Sequence, residues 1–363
     1  MITGDPAYRL GNSRQRIDAR LQRAAAAGKL AGVVAMAATG RDILYEGAFG
    51  RRDVSQPVAI TVDSVFMIAS MTKVVTAGAA LQLVEQGKLP LDEPLGRLVP
   101  ELADPMVLEG FTADFLPILR PARRPLTLIH LLTHTSGFSH EIWSAEIARY
   151  QAATGTPVLG TNTNASLCLP LLFDPGDAWA YGIGVDWVGK VVEAASGQTL
   201  GSYFRDRVTG PLGMSDTTFG SAPRHRGRVV PPHQREADGS LTVRESGEGA
   251  PSEYEAGGGG LYSTAGDYLA FLRMLLNSGR HGSVQILRPE TVRLMRRNHI
   301  GDLLVGTMKS VVPGISNDFE LFPGMEKKWS LNGLSTPNRD RTGGARAASR
   351  GAGSPTPTSG LIP

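Results

Sequence analysis

The sequence has a single cysteine, Cys168, among its 363 residues. That excludes an internal disulfide and any multi-cysteine metal site. No run approaches the roughly 18 apolar residues of a membrane span, so no membrane partner is expected. The first twenty residues carry Asp5, Arg9, Arg14, Arg16, Asp18 and Arg20 and no apolar stretch. Nothing marks export there, and a cytoplasmic protein is expected. An excess of one charge is also lacking. The formal net charge is +3, and Arg339, Arg341, Arg346 and Arg350 against Asp340 supply all of it after Leu334. The neutral remainder offers no basic face for nucleic acid. What is present, 41% hydrophobic and 20% charged residues with 44 glycines and 24 prolines, is a globular composition able to bury a large core.

The chain is organised around residues 64–88. From Ser70 onward, Val74, Ala77, Leu81 and Val84 recur at helical spacing and Gly87 supplies a stop. Few of these positions are polar, which predicts a buried central helix and makes Ser70, Thr72 and Lys73 near its start conspicuous. Ser70 and Lys73 lie three apart, so they share one face with Cβ atoms about 5–6 Å apart. A lysine in an apolar setting loses affinity for its proton and can activate a serine that is otherwise a poor nucleophile. The first-turn N–H groups add positive potential where an oxyanion would form. This is the Ser-x-x-Lys arrangement of penicillin-recognising enzymes. As a bare tetrad it is weak, since a capping serine beside a snorkelling lysine gives the same letters. Following the strand-like Val65-Phe66-Met67-Ile68 inside so apolar a helix, it reads as catalytic.

An amphipathic helix is expected over residues 14–27, closed by Gly28, then a buried strand from Leu30 to Ala38 and a second from Ile43 to Gly50, joined by a hairpin at residues 39–42. From about 101 to 250 the chain turns to proline-punctuated loops and helices, including Leu126–Leu132, Asp186–Ala195 and Leu200–Val208. This predicts a mainly helical domain, 101–250, inserted into a sheet-containing domain made of 1–100 and 251–334. Gly257 to Gly260 then lead into a helix over Asp267–Leu276. No Gly-Lys-Ser/Thr follows the four glycines, so close backbone packing is favoured over a phosphate cradle. From Ser335 to Pro363 the composition has no aromatic residue and reads as disordered.

Tyr181 follows the Asp174-Pro175-Gly176 turn. A phenol beside Ser70 and Lys73 could shuttle the serine proton as a phenolate stabilised by the ammonium, but spacing alone does not distinguish that from a core tyrosine. His130 and His134 are four apart, as in a zinc helix, yet no Glu lies between them and a third ligand is not apparent. No metal is therefore expected. No Gly-x-Ser-x-Gly surrounds Ser70 or Ser136. Trp143, Trp179 and Phe138 read equally as an acyl pocket or as core.

Ser70-Met71-Thr72-Lys73, Leu131-Leu132-Thr133-His134-Thr135-Ser136-Gly137, Pro175-Gly176 with Tyr181, Pro211-Leu212-Gly213-Met214-Ser215-Asp216-Thr217 and Gly259-Gly260-Leu261-Tyr262-Ser263-Thr264 together resemble the serine β-lactamase-related esterases. The resemblance is collinear over about residues 14–334. It is nearest to the family VIII carboxylesterases, which are similar to class C β-lactamases and to the acyltransferase of lovastatin synthesis. It implies an α+β transpeptidase-type fold, an antiparallel sheet flanked by helices with an inserted helical domain. It further implies Ser70 as nucleophile, Lys73 as its activating partner, Tyr181 as general base, and a small-molecule ester as substrate. A serine esterase of this kind is expected to need no cofactor. One departure stands out: where β-lactamases have Tyr-x-Asn, Gly182 and Ile183 follow Tyr181. The missing carboxamide favours simple esters over penicillins. An acyltransferase, a weak β-lactamase and a non-catalytic penicillin-binding-like sensor are the rival readings.

The resemblance also implies two further strands and a terminal helix after Trp329, the first strand followed by a Trp-Gly-Gly-like segment. None is legible after Leu334. The codons permitted by residues 335–363, read one base earlier, allow Ser-Leu-Ala-Trp-Gly-Gly-Leu-Ala-Asn-Thr-Tyr-Phe-Trp-Val-Asp-Pro. That points to a reading-frame slip near codon 334.

Overall fold

The computed structural model describes residues 6–244, 252–331, 333–339 and 345–350. The first helix, expected from residue 14, begins earlier and spans Pro6–Ala26; the chain leaves it through Gly28 at φ +66°. It packs on an antiparallel hairpin of Gly32–Ala38 and Ile43–Asp53, where the Tyr45 hydroxyl donates to Asp18 Oδ1 at 2.6 Å. The connecting turn is held by Thr39 Oγ1, which accepts from the N–H groups of Arg41 and Asp42. The first strand departs from expectation in its burial, with Val34 its only fully buried residue. The reason lies in the sheet: among the described residues this strand pairs along one edge only, with Ile43–Asp53, so its apolar run is not enclosed as a central strand would be.

The central helix follows the short strand Phe66–Met67. A 3₁₀ turn at Ala69–Met71 runs straight into an α-helix at Thr72–Glu85, and every residue from Val74 to Leu83 is buried. Gly87, at φ +68°, takes the chain out of it. Small residues make this possible. Ala77, Gly78, Ala79 and Ala80 let neighbours approach closely; Phe271, for example, lies within 4 Å of where a Cβ on Gly78 would stand.

Residues 101–250 contain the expected helices, displaced by a residue or two, at Leu128–Thr133, Gly184–Ser196 and Leu200–Phe204, the last continued by a π turn to Thr209. A fourth, Ala145–Thr154, starts at the Ser144 cap and ends at Gly155. The segment also holds two hairpins, Met106–Phe111 with Pro117–Pro121 and His233–Arg235 with Leu241–Val243. Thr218–Phe219 joins Leu261–Ser263 and Phe66–Met67 in a small antiparallel sheet. One continuous apolar cluster runs from Ile68 through Leu128, Val188 and Phe204 to Phe271 and Leu331, so the segments on either side of the central helix share a single core. Among the described residues no helix is long and apolar enough to cross a membrane.

The tail requires a correction. Residues expected to lack structure after Leu334 continue an antiparallel sheet in which Lys328–Ser330 pairs with Gly333–Arg339 and that strand with Ala345–Arg350. Ladder bonds are made by main-chain groups, so a tract of Ser, Thr, Ala and Arg can extend an edge that apolar residues begin. The remainder of the tail, residues 351–363, lies outside the described residues.

Candidate active site

The turn that carries Ser70 is set by backbone. The Ile68 N–H donates to Leu261 O at 2.9 Å, and the Leu261 N–H donates to Thr72 Oγ1 at 3.2 Å, so strand and helix start are laced together. Between them Ala69 sits at φ +45°, a left-handed conformation that costs an L-residue about 1–2 kcal/mol. Such strain persists only where the surroundings over-determine the backbone. Here it turns the chain sharply from strand into helix and leaves Ser70 half-buried beside a fully buried Thr72.

Lys73 meets Ser70 as the spacing predicts. Its Nζ donates to Ser70 Oγ at 3.3 Å and to Gly258 O at 2.6 Å. The second contact comes from the glycine run, whose role is close packing, as favoured from sequence. Thr76 Oγ1 donates to Gly257 O at 2.7 Å, and the Gly258 N–H donates to Asp186 Oδ1 at 2.9 Å. A Cβ on Gly257 would lie 2.9 Å from Val185 O, and one on Gly258 would lie 2.3 Å from Asp186 Oδ2. Only glycines fit between the central helix and the Gly184–Ser196 helix.

Tyr181 is buried, 4% exposed, and its ring centroid lies 4.9 Å from Lys73 Nζ. The turn that delivers it is anchored at both ends. Asp174 accepts from Arg120 and from the Arg123 N–H at 2.7 Å, and the Arg120 guanidinium holds its carboxyl down to about 2. The Gly176 N–H donates to Thr135 O at 2.7 Å, and Ser139 Oγ donates to Tyr181 O at 3.2 Å. The structure thus brings Ser70, Lys73 and Tyr181 into one site.

Residues that were assigned no catalytic role from sequence stand there too. His134 leaves the Leu128–Thr133 helix at φ +58° and its ring lies 4.5 Å from that of Tyr181, centroid to centroid. Its Nδ1 accepts the Gly182 N–H at 3.4 Å. Complete burial, then the charge of Lys73, push its pKa well below the usual imidazole value, so it is neutral with its proton on Nε2. His140 is pushed down to about 3, again by burial and then by Lys73. The zinc-like spacing of His130 and His134 dissolves in this geometry: His130 Nδ1 bonds Thr127 Oγ1 at 3.0 Å, while His134 lies past the helix end. Among the described residues no cluster of His, Cys, Asp and Glu could hold a metal ion. Phe138 proves to be core, stacked on Trp187 at 6.2 Å. Trp179 joins Tyr181 and Trp329 in an aromatic wall, with its ring 5.4 Å from that of Trp329.

Ser70, Lys73, Val74, His134, Trp329 and Gly333 border a cavity of about 20 Å³, enough for roughly one water. Trp329 and Gly333 belong to the C-terminal sheet, which therefore reaches the nucleophile. On the other side of the turn opens a groove of about 1150 Å³, with Phe66, Met67, Ala69, Val230, Tyr262 and Ile315 among its walls.

The chain is similar to known proteins. The profile of the β-lactamase family matches residues 17–307. A lovastatin esterase of Penicillium rubens is 38% identical over 301 residues, 78% of this chain and 73% of its own. The acyltransferase mokF of Monascus pilosus is 36% identical over 298 residues, 78% of this chain and 71% of its own. A simvastatin synthase variant from Aspergillus terreus superposes with a TM-score of 0.75 at 30% identity, covering 89% of this chain and 81% of its own. With a β-lactamase and penicillin-binding-protein-like fold built around a serine three residues before a lysine, and a family match across most of its length, the chain belongs to the β-lactamase family.

Proposed function

We propose that the protein is a serine carboxylesterase that cleaves short-chain acyl esters of small alcohols or phenols through an acyl-enzyme on Ser70. The observation that carries this reading is the position of Lys73 Nζ, which donates at once to Ser70 Oγ and to Gly258 O with the Tyr181 ring against it. In this reading Lys73 is an ammonium that favours the phenolate of Tyr181. The phenolate takes the proton of Ser70, and Oγ attacks the ester carbonyl. The oxyanion forms at the start of the central helix, where the Ser70 N–H and the helix dipole favour negative charge. Collapse expels the alkoxide, which recovers the proton from Tyr181. A water then repeats the sequence on the acyl-enzyme, and the acid and Ser70 are released. Every role falls to a side chain or a backbone N–H, with no cofactor.

Ile183 supports esters over lactam amides. The position two residues after Tyr181 is fully buried in the apolar core and offers no amide to a substrate. The large groove beside Ala69 supports a second reading, acyl transfer, because it has room for an acceptor larger than water and relatives include an acyltransferase. The two differ only in what attacks the acyl-enzyme. The test is a chain-length series of chromogenic esters with intact-mass detection of an acyl adduct on Ser70, run with and without a competing alcohol. Steady release of free acid supports the esterase; predominant formation of the new ester supports the transferase. A single burst without turnover sinks both in favour of a ligand sensor.

A further inference from the structure

Asp186 is a buried carboxylate, 3% exposed, in the first turn of the Gly184–Ser196 helix. Among the described residues no lysine, arginine or histidine forms an ion pair with it. Buried anions are costly, and the helix dipole offsets only part of that cost. Its contacts explain where it is directed. Oδ1 accepts the Gly258 N–H at 2.9 Å, and Oδ2 lies 2.3 Å from where a Gly258 Cβ would stand. The carbonyl of the same Gly258 accepts Lys73 Nζ at 2.6 Å. One glycine thus carries the carboxylate on its N–H and the ammonium on its C=O.

We propose that Asp186 is a positioning residue that keeps Lys73 an ammonium, through its negative charge and by aiming the Gly258 carbonyl at Nζ. This rests on the reading of Ser70, Lys73 and Tyr181 given above. A purely structural anchor for the glycine run would need only an acceptor oxygen, which asparagine supplies at the same size. What aspartate adds is charge, and the cation that receives it is Lys73. The groups facing this pair are few. Tyr254, from the chain before the glycine run, feels the Asp186 charge and stays a phenol, raised chiefly by burial. Around Lys73 stand Tyr181, His134 and His140, and both imidazoles are neutral. Burial raises the Asp186 carboxyl above its ordinary value, and the Lys73 charge and the Gly258 N–H work against that rise. Asp186 is the one carboxyl in this set, and Gly258 sets it against the single cation.

The test compares the pH dependence of kcat/KM on a chromogenic ester for the full chain and for Asp186→Asn, with thermal melts of both. The expected result is a folded variant whose alkaline limb moves about one pH unit lower, because the ammonium loses its counter-charge, and whose turnover falls about tenfold at the former optimum. An unmoved alkaline limb in a folded Asp186→Asn overturns the proposal and leaves Asp186 an anchor. If that variant fails to fold, ¹³C NMR of the Asp186 carboxyl in the unsubstituted protein decides instead. An ionised carboxylate at pH 7 supports the proposal, and a protonated one overturns it. Absence of ester turnover in the unsubstituted protein overturns both this proposal and the reading beneath it, whereas turnover with an unmoved limb defeats this one alone.

Discussion

The central helix and the C-terminal sheet both reach Ser70, but they are held in place by different means. Around Thr72–Glu85 each position is specified by side chains: the residues from Val74 to Leu83 are buried, Thr72 and Thr76 hydrogen-bond the neighbouring backbone, and the glycines opposite tolerate no Cβ. In the C-terminal sheet, Trp329, Leu331 and Leu334 are buried, and the strands beyond are joined to them by main-chain pairing. Side-chain packing resists any change of register, because a slip would move every buried group. Main-chain pairing alone specifies register only weakly. The nucleophile thus has one wall defined by its own sequence and another that rests on a ladder.

The sharpest way to break the first wall is chemical. Ser70→Ala should remove ester turnover by about 10⁶-fold, and Tyr181→Phe should lower it by about 10²–10⁴, with melting temperatures held. Steady-state assays with a chromogenic ester check both, and near-normal activity in Tyr181→Phe removes that residue from the mechanism. The second wall is tested by the tail. The resemblance implies that the strand bearing Trp-Gly-Gly lends a second oxyanion N–H beside that of Ser70. A frame-restored variant should therefore turn over esters about 10²–10³-fold faster than the 363-residue chain, the value of one such donor. Resequencing around codon 334 with intact mass tests the premise, and equal rates would show that the oxyanion site is completed without it.

Packing comes next in size. Leu81→Ala, at a fully buried position, should cost about 2–5 kcal/mol in a denaturant titration. Gly258→Ala, which drives a methyl into the Asp186 carboxylate, should cost about 1–3 kcal/mol and slow turnover by disturbing the contact with Lys73. The smallest expected effect is in pH. His134 and His140 have depressed folded-state pKa values, His140 at about 3, so below about 6.5 the unfolded chain takes up protons that the folded chain refuses. Their contribution to stability is complete above that pH and is lost progressively as pH falls towards 3. Melting temperature should decline on acidification from 6.5, and His140→Asn should flatten the slope. An unchanged slope would mean that other groups set it.

The helices at Thr72–Glu85, Gly184–Ser196 and Ala265–Leu276 could be read from sequence because apolar spacing, glycine stops and caps are local signals. Ser70 and Lys73 were legible for the same reason, being one turn apart. Tyr181 was legible only through family resemblance, since the turn that brings it to Lys73 depends on Arg120, Asp174 and Thr135. Asp186 and His134 escaped as site residues. Asp186 sits on an ordinary apolar helix and acquires its meaning from a glycine 72 residues away, and His134 imitated a zinc ligand until its φ placed it beyond the helix.

By itself the sequence determined a buried central helix with a serine and a lysine on one face, because the 3.6-residue period acts over a few ångströms of chain and needs no partner. It also determined that the glycine run packs closely, because no phosphate-binding pattern accompanies it. Tertiary structure alone decided that the Gly258 carbonyl meets Lys73, that Tyr181 lies against the ammonium, and that the strand at Gly32–Ala38 is only half enclosed. Those outcomes depend on which distant segments fill the space around each group, and contacts across many tens of residues leave no periodic trace in the chain.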